Sequence, residues 1–128
     1  MTKTPSAKPS KQRGLLYHMP AHRRRRILSA LMSTELRSAQ GRHSYPVRKG
    51  DTVKILRGDF AGIEGKITRI DTKRQRLFVE GVSREKVAGT STNVSVHSSK
   101  VMITKLNLDD KWRAESIKAA VPKNSQEA

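Results

Sequence analysis

The stretch from Val47 to Ile70, VRKGDTVKILRGDFAGIEGKITRI, constrains the fold more than any other part of the chain. Val53 and Ile55 alternate with Thr52 and Lys54, the period-two pattern of a strand with one buried face. Arg57-Gly-Asp-Phe-Ala-Gly62 follows, a turn marked by two glycines and an aspartate. Ile63, Gly65 and Ile67 then oppose Glu64, Lys66 and Thr68, which predicts a second strand. Gly65 within it marks a bulge or a close approach of another backbone. Lys54, Arg57 and Lys66 rim the resulting hairpin. Reading Gly65-Lys66 as a phosphate-cradling nucleotide loop fails on the residues: Phe60 stands where the first glycine belongs, and Ile67 where Ser or Thr would hold magnesium.

The rest of the chain adds short strands. Asp71–Gln75 reads as a polar turn and Arg76–Glu80 as a third strand, with Leu77 and Val79 alternating. Ser83–Asn93 is predicted to be a long polar loop. Val94–His97 and Val101–Thr104 read as two strands around a Ser98-Ser99-Lys100 turn. Five short strands with tight turns predict a mainly β fold, a small barrel closed or nearly so, because closure removes exposed edges. Its expected core is Val53, Ile55, Ile63, Ile67, Leu77, Val79, Val96, Val101 and Ile103.

Before the barrel the pattern changes. Residues 1–13 are rich in Lys, Pro, Ser and Thr and are expected to be unfolded without a partner. The short apolar patch Gly14–Met19 would anchor this arm on a surface. Pro20 suits the first residue of a helix, and Leu28, Leu31 and Met32 at helical spacing predict that helix over 21–32. Ser33 or Thr34 would cap a second, short helix through Gln40, with Glu35 near its positive end and Gly41 as its stop. Beyond the barrel, Asp109 or Asp110 would cap a helix over 111–120, with Trp112 packing back on the barrel and a frayed tail from Pro122. The expected organisation is a flexible basic tail at 1–19, a basic helical arm at 20–45, the barrel at 46–106, and a C-terminal helix and tail at 107–128.

Charge says what such a chain seeks. Among its 128 residues, 27 Lys and Arg against 11 Asp and Glu leave a net charge of +16 and a pI near 11.0. Self-repulsion of that size calls for an anionic partner. Residues 1–50 carry 12 basic side chains and 1 acidic, so the arm is the most anion-seeking part. On a helix, successive residues point about 100° apart, so Arg23, Arg24, Arg25 and Arg26 form a ring of charge. A membrane-surface helix would gather its charge opposite an apolar face; a ring suits immersion among phosphates, as in folded RNA.

Other chemistries find little support. The absence of cysteine removes disulfides and thiolate metal sites. No apolar run approaches the ~20 residues of a membrane span, and no apolar signal segment follows Met1. Asp51, Asp59, Glu64, Asp71 and Glu80 are scattered through turns and polar strand faces, unpaired for acid–base work. His18 and His22 stand four apart but with Pro20 between them, a poor metal pair. The expectation is no enzyme, no catalytic or metal site, no cofactor and no small-molecule substrate.

Together, the hairpin, His22-Arg-Arg-Arg-Arg26, Pro46-Val-Arg-Lys-Gly-Asp-Thr-Val53, Gly62-Ile-Glu-Gly-Lys66 and Val96-His-Ser-Ser-Lys-Val101 carry a resemblance. The hairpin resembles the KOW motif of translation and transcription proteins. From about Lys11 to Ile117 the chain resembles large-ribosomal-subunit protein number twenty-four in its longer archaeal and eukaryotic form. That resemblance implies an SH3-like barrel bound to large-subunit ribosomal RNA near the 5′ end of that RNA. It also implies an early assembly role, a position on the outer surface by the peptide exit tunnel, and contacts with neighbouring large-subunit proteins. The RNA-binding set it implies includes Arg23, Arg24, Arg25, Arg26, Lys49, Lys54, Arg57, Lys66, Arg84, Lys86 and Lys100, with Gly58, Gly62 and Gly65 shaping the turn. Lys11, Arg13, Arg48 and His97 complete that set. Two positions depart from the family pattern. Ala61 replaces a common lysine, and Ser98 replaces a frequent proline, which predicts a looser turn. The alternative is the KOW module of a transcription-elongation factor, although residues 1–46 are too few for the separate domain such factors carry. A basic nucleoid-type protein that accepts any DNA duplex is a third reading.

Overall fold

The computed structural model describes residues 6–119. The expected tail beyond Pro122, the expected last residue of the C-terminal helix, Ala120, and the first five residues lie outside that range. The described residues form a mainly β fold, a seven-stranded sheet with four helices, compatible with a small KOW-type, SH3-like barrel. In chain order the helices are α1 (Pro9–His18), α2 (Ala21–Ile27), α3 (Thr34–Gln40) and α4 (Lys111–Ala119). The strands are β1 (Ser29–Met32), β2 (Ser44–Pro46), β3 (Thr52–Ile55), β4 (Glu64–Asp71), β5 (Arg76–Glu85), β6 (Ser91–His97) and β7 (Val101–Lys105). They lie side by side as β2-β1-β7-β3-β4-β5-β6.

The alternation at Val53 and Ile55 produces the expected strand, since both side chains are buried on one face of β3. Strand β4 pairs antiparallel with β3, setting Val53 opposite Gly65 and Lys54 opposite Glu64. A Cβ added to Gly65 would lie 2.6 Å from the Glu80 carbonyl oxygen of β5, the close backbone approach the glycine foretells. A bulge follows between Ile67 and Arg69. Of the expected core, all but Ile63 are buried; Ile63 is half-buried and packs against the cluster.

Two strands, β1 and β2, come from the region expected to be a helical arm. The helix predicted over 21–32 stops at Ile27; Leu28, just before β1, and Ala30 and Met32 within it are buried, while Leu31 points outward. The same apolar residues fit both periods. Period two prevails because β1 inserts into the sheet, antiparallel to β2 and parallel to β7, and fills the core from three positions. Helix α3 joins β1 to its antiparallel neighbour β2. Ser33 caps it, its hydroxyl accepting from the Leu36 N–H at 3.4 Å, and Gly41 stops it at φ 65°.

Three further expectations change. Pro9–His18 forms α1, starting at a proline suited to that place, where an unfolded tail was expected; none of its residues is buried. Strand β5 runs on to Glu85 and β6 starts at Ser91, so the long polar loop shrinks to residues 86–90. The added length buries Val82. Trp112 does not pack on the barrel but is 79% exposed; Arg113 and Ile117, one helical turn apart, face inward instead. Asp110 is the cap, its Oδ1 accepting from the Trp112 N–H at 3.1 Å.

Candidate nucleic-acid interface

Arg113 holds α4 to the sheet. Its two terminal nitrogens donate to the two oxygens of fully buried Asp51, both at 2.6 Å. The same guanidinium donates to the carbonyls of Asn107 at 2.8 Å and Pro46 at 3.1 Å and lies 5.3 Å from the centroid of the Tyr45 ring. Asp51 also accepts from the backbone N–H groups of Arg48 at 3.0 Å and Asn107 at 2.9 Å. A buried charge is tolerated when its lone pairs are filled this way. The knot fixes the segment around Arg48 and Lys49 beside α4. Arg48 in turn pairs with Asp110, and the hydrogen-bonded guanidinium holds the Asp110 carboxyl below the usual carboxylate range.

Helix α2 joins two groups of cations. On one side Arg25 lines a cleft of about 560 Å³ together with Arg48, Lys49 and Arg113. On the other, the buried Ser98 hydroxyl donates to the Ile27 carbonyl at 3.3 Å, tying the single 3-10 turn Ser98–Lys100 to the end of α2. Serine in the place of a proline thus anchors this turn rather than loosening it. Arg57 donates to the Ser99 carbonyl at 2.7 Å, and the Lys100 carbonyl accepts from the Leu56 N–H at 2.8 Å, so the hairpin turn, Lys100 and α2 adjoin. His97 caps the same turn, Nδ1 accepting from the Ser99 N–H at 3.2 Å. Burial, then the nearby charges of Arg76 and Lys100, hold its pKa below the ordinary value of 6.5.

The remaining expected residues divide. Arg23, Arg25 and Arg26 are exposed, but Arg24 is half-buried and donates to the Tyr17 carbonyl at 3.3 Å, so one member of the ring is turned to the protein. Lys11 and Arg13 are exposed on α1. Lys54 and Lys66 lie exposed on the outer face of the sheet on either side of Glu64, a more mixed surface than the motif suggested. Arg84 is exposed, 3.8 Å from the still more exposed Asp59 of the hairpin turn, a pair worth little energetically. Lys86 stands at the exposed 86–90 loop. Gly58 and Gly62 shape the turn at φ 97° and 91°.

Sequence reasoning did not single out Arg42 and placed Trp112 against the barrel. Both face a smaller cleft beside α2, and neither follows a periodicity that would mark it; the lone tryptophan of the chain was the available signal. Among the described residues no group of His, Asp or Glu could hold a metal, and no helix is long and apolar enough to cross a membrane.

Comparison with known proteins agrees with this basic architecture. The family model for the ribosomal proteins called L26 in eukaryotes and L24 in archaea matches residues 6–120. The chain is 52% identical over 108 residues to the large ribosomal subunit protein uL24 of Korarchaeum cryptofilum, covering 84% of this chain and 82% of the relative. It is 50% identical over 112 residues to the uL24 of Saccharolobus solfataricus, covering 88% and 94%, respectively. With the uL24 of Sulfolobus acidocaldarius it shares 46% identity over 112 residues, covering 88% and 84%.

Proposed function

The chain belongs to the family of eukaryotic L26 and archaeal L24 ribosomal proteins, and from that premise we propose that it binds large-subunit ribosomal RNA near the 5′ end of that RNA through α2 and the surfaces on its two sides. It is a structural, non-enzymatic component of the large ribosomal subunit, in the cytoplasm, and serves translation. Binding near the first-transcribed end of the RNA would make it an early assembly protein, with its barrel on the outer surface beside the peptide exit tunnel and against neighbouring large-subunit proteins.

The observation that carries this reading is the docking of α2. Ser98 ties its end to the Lys100 turn, while Arg25 reaches the Arg48–Lys49 cleft. Exposed cations on several sides of one short helix match a partner that surrounds it, as folded RNA does and a flat membrane does not. The elongation-factor reading loses ground because β1 and β2, the strands just before the motif, belong to this same sheet and not to a separate domain.

Binding to transcripts of successive segments of large-subunit RNA, at one fixed salt concentration, tests the proposal. Preference for the 5′ segment is expected, together with co-sedimentation of the protein with the large subunit. Equal affinity for every segment and for DNA duplex would overturn it.

A further inference from the structure

We propose that the cleft between α2, β2 and α4 is a binding site for one unpaired nucleotide, with Trp112 as the stacking surface for its base and Arg25 and Arg42 as the cations for its phosphates. The proposal rests on the RNA-binding reading above and adds to it a site outside the KOW hairpin.

The cleft, about 240 Å³, is lined by Arg25, Arg42, Tyr45, Arg48, Trp112 and Arg113 among others. Its arginines are not equivalent. Arg113 is committed to Asp51 and Arg48 to Asp110. Arg25 and Arg42 have no carboxylate partner among the described residues, so they supply the positive charge left over for a ligand. Arg42 and Arg113 both lie on the Tyr45 ring, at 5.5 and 5.3 Å from its centroid, so the floor is rigid and already filled.

Trp112 is the second, independent observation. It is the single tryptophan of the chain, 79% exposed, beside a basic cleft and not in the core. Its backbone is fixed, its N–H donating to Asp110, the residue Arg48 also holds. An exposed indole on a fixed stretch of backbone, with cations beside it, is an arrangement that binds unpaired bases, whose faces stack on aromatics while their phosphates meet arginines. A base paired within a duplex offers no face to it. A docking peptide would prefer an apolar pocket, and this one holds four arginines and a buried tyrosine.

Trp112 is also its own probe. The protein would be titrated with single-stranded oligoadenylate, with a paired RNA duplex, and with a transcript of the 5′ segment of large-subunit RNA, reading tryptophan emission and affinity together. Quenching by the single strand and the transcript, and much less by the duplex, is expected. Trp112→Leu should weaken transcript binding by about 5- to 150-fold, the range for losing one stacked base, without changing the salt dependence. Trp112→Phe should recover most of it. Because the side chain is exposed, all variants should melt with the parent, which separates the effect from folding. If the transcript binds but neither emission nor affinity responds to Trp112, the site is wrong and the indole belongs to a protein contact, while the RNA reading stands. If the parent binds no RNA at all, both readings fall.

Discussion

Asp51 is fully buried, and what makes its charge tolerable is Arg113, 62 residues further on. Replacing Arg113 with leucine would leave the carboxylate with two backbone donors and no counter-charge. We expect about 3–5 kcal/mol of lost stability, as for other buried pairs broken on one side, measured by urea unfolding. Asp51→Asn combined with Arg113→Leu should lose less than Arg113→Leu alone. In the sequence this aspartate is only part of a Lys-Gly-Asp turn, and nothing local assigns its partner. Gly65 was legible, because a glycine inside an alternating strand has few other reasons to be there. A valine at Gly65 would drive its Cβ against the Glu80 carbonyl, which cannot move without opening β5. A side chain at Gly62 meets open space but must hold φ near 91°. Neither position is therefore silent: Gly62→Ala should cost about 1–2 kcal/mol from the left-handed backbone alone, and Gly65→Val about 3 kcal/mol or more. Equal melting of the Gly65→Val protein and the parent would show that β4 and β5 separate freely.

Among the elements, β1 shows where sequence reading fails and why. Leu28, Leu31 and Met32 satisfy a helical stripe; Leu28, Ala30 and Met32 satisfy a strand face. Four residues cannot decide between them, and the decision comes from β7, a parallel neighbour some 70 positions away in sequence. The hairpin and the last two strands were legible because each pairs with a close neighbour or alternates cleanly. The interface was legible in residue type but not in grouping. The arginine ring is real in sequence, yet Arg24 turns to the Tyr17 carbonyl, leaving three arginines directed outward. Changing Arg23, Arg25 and Arg26 to Gln should flatten the log–log salt dependence of RNA binding by roughly 2 to 3, at about 0.7–0.9 per phosphate contact. Arg24→Gln alone should leave that slope nearly unchanged. A slope indifferent to the triple change would mean that α2 faces solvent on the ribosome.

At the scale of the whole molecule, the net charge of +16 divides unevenly between a packed body and what precedes it. The sequence alone places the boundary ahead of Val47, where the apolar alternation starts. The structure moves it forward, because Leu28, Ala30 and Met32 are core residues, while α1 buries nothing and α2 is held chiefly through its end. Cleavage by a protease reports local opening, and segments with few buried contacts open first. Trypsin should therefore cut the free protein at Lys11, Arg13 and within Arg23–Arg26. It should leave a resistant fragment that begins near Ile27 and retains β1, β2 and α4. Bound to the 5′ transcript, the same arginines should be shielded by phosphates, and the chain should resist from α2 onward. Mass spectrometry of the early fragments decides the matter. A resistant fragment starting at Val47 would mean that β1 leaves the sheet in the free protein, with three core residues exposed, and that the RNA completes the fold as well as contacting it.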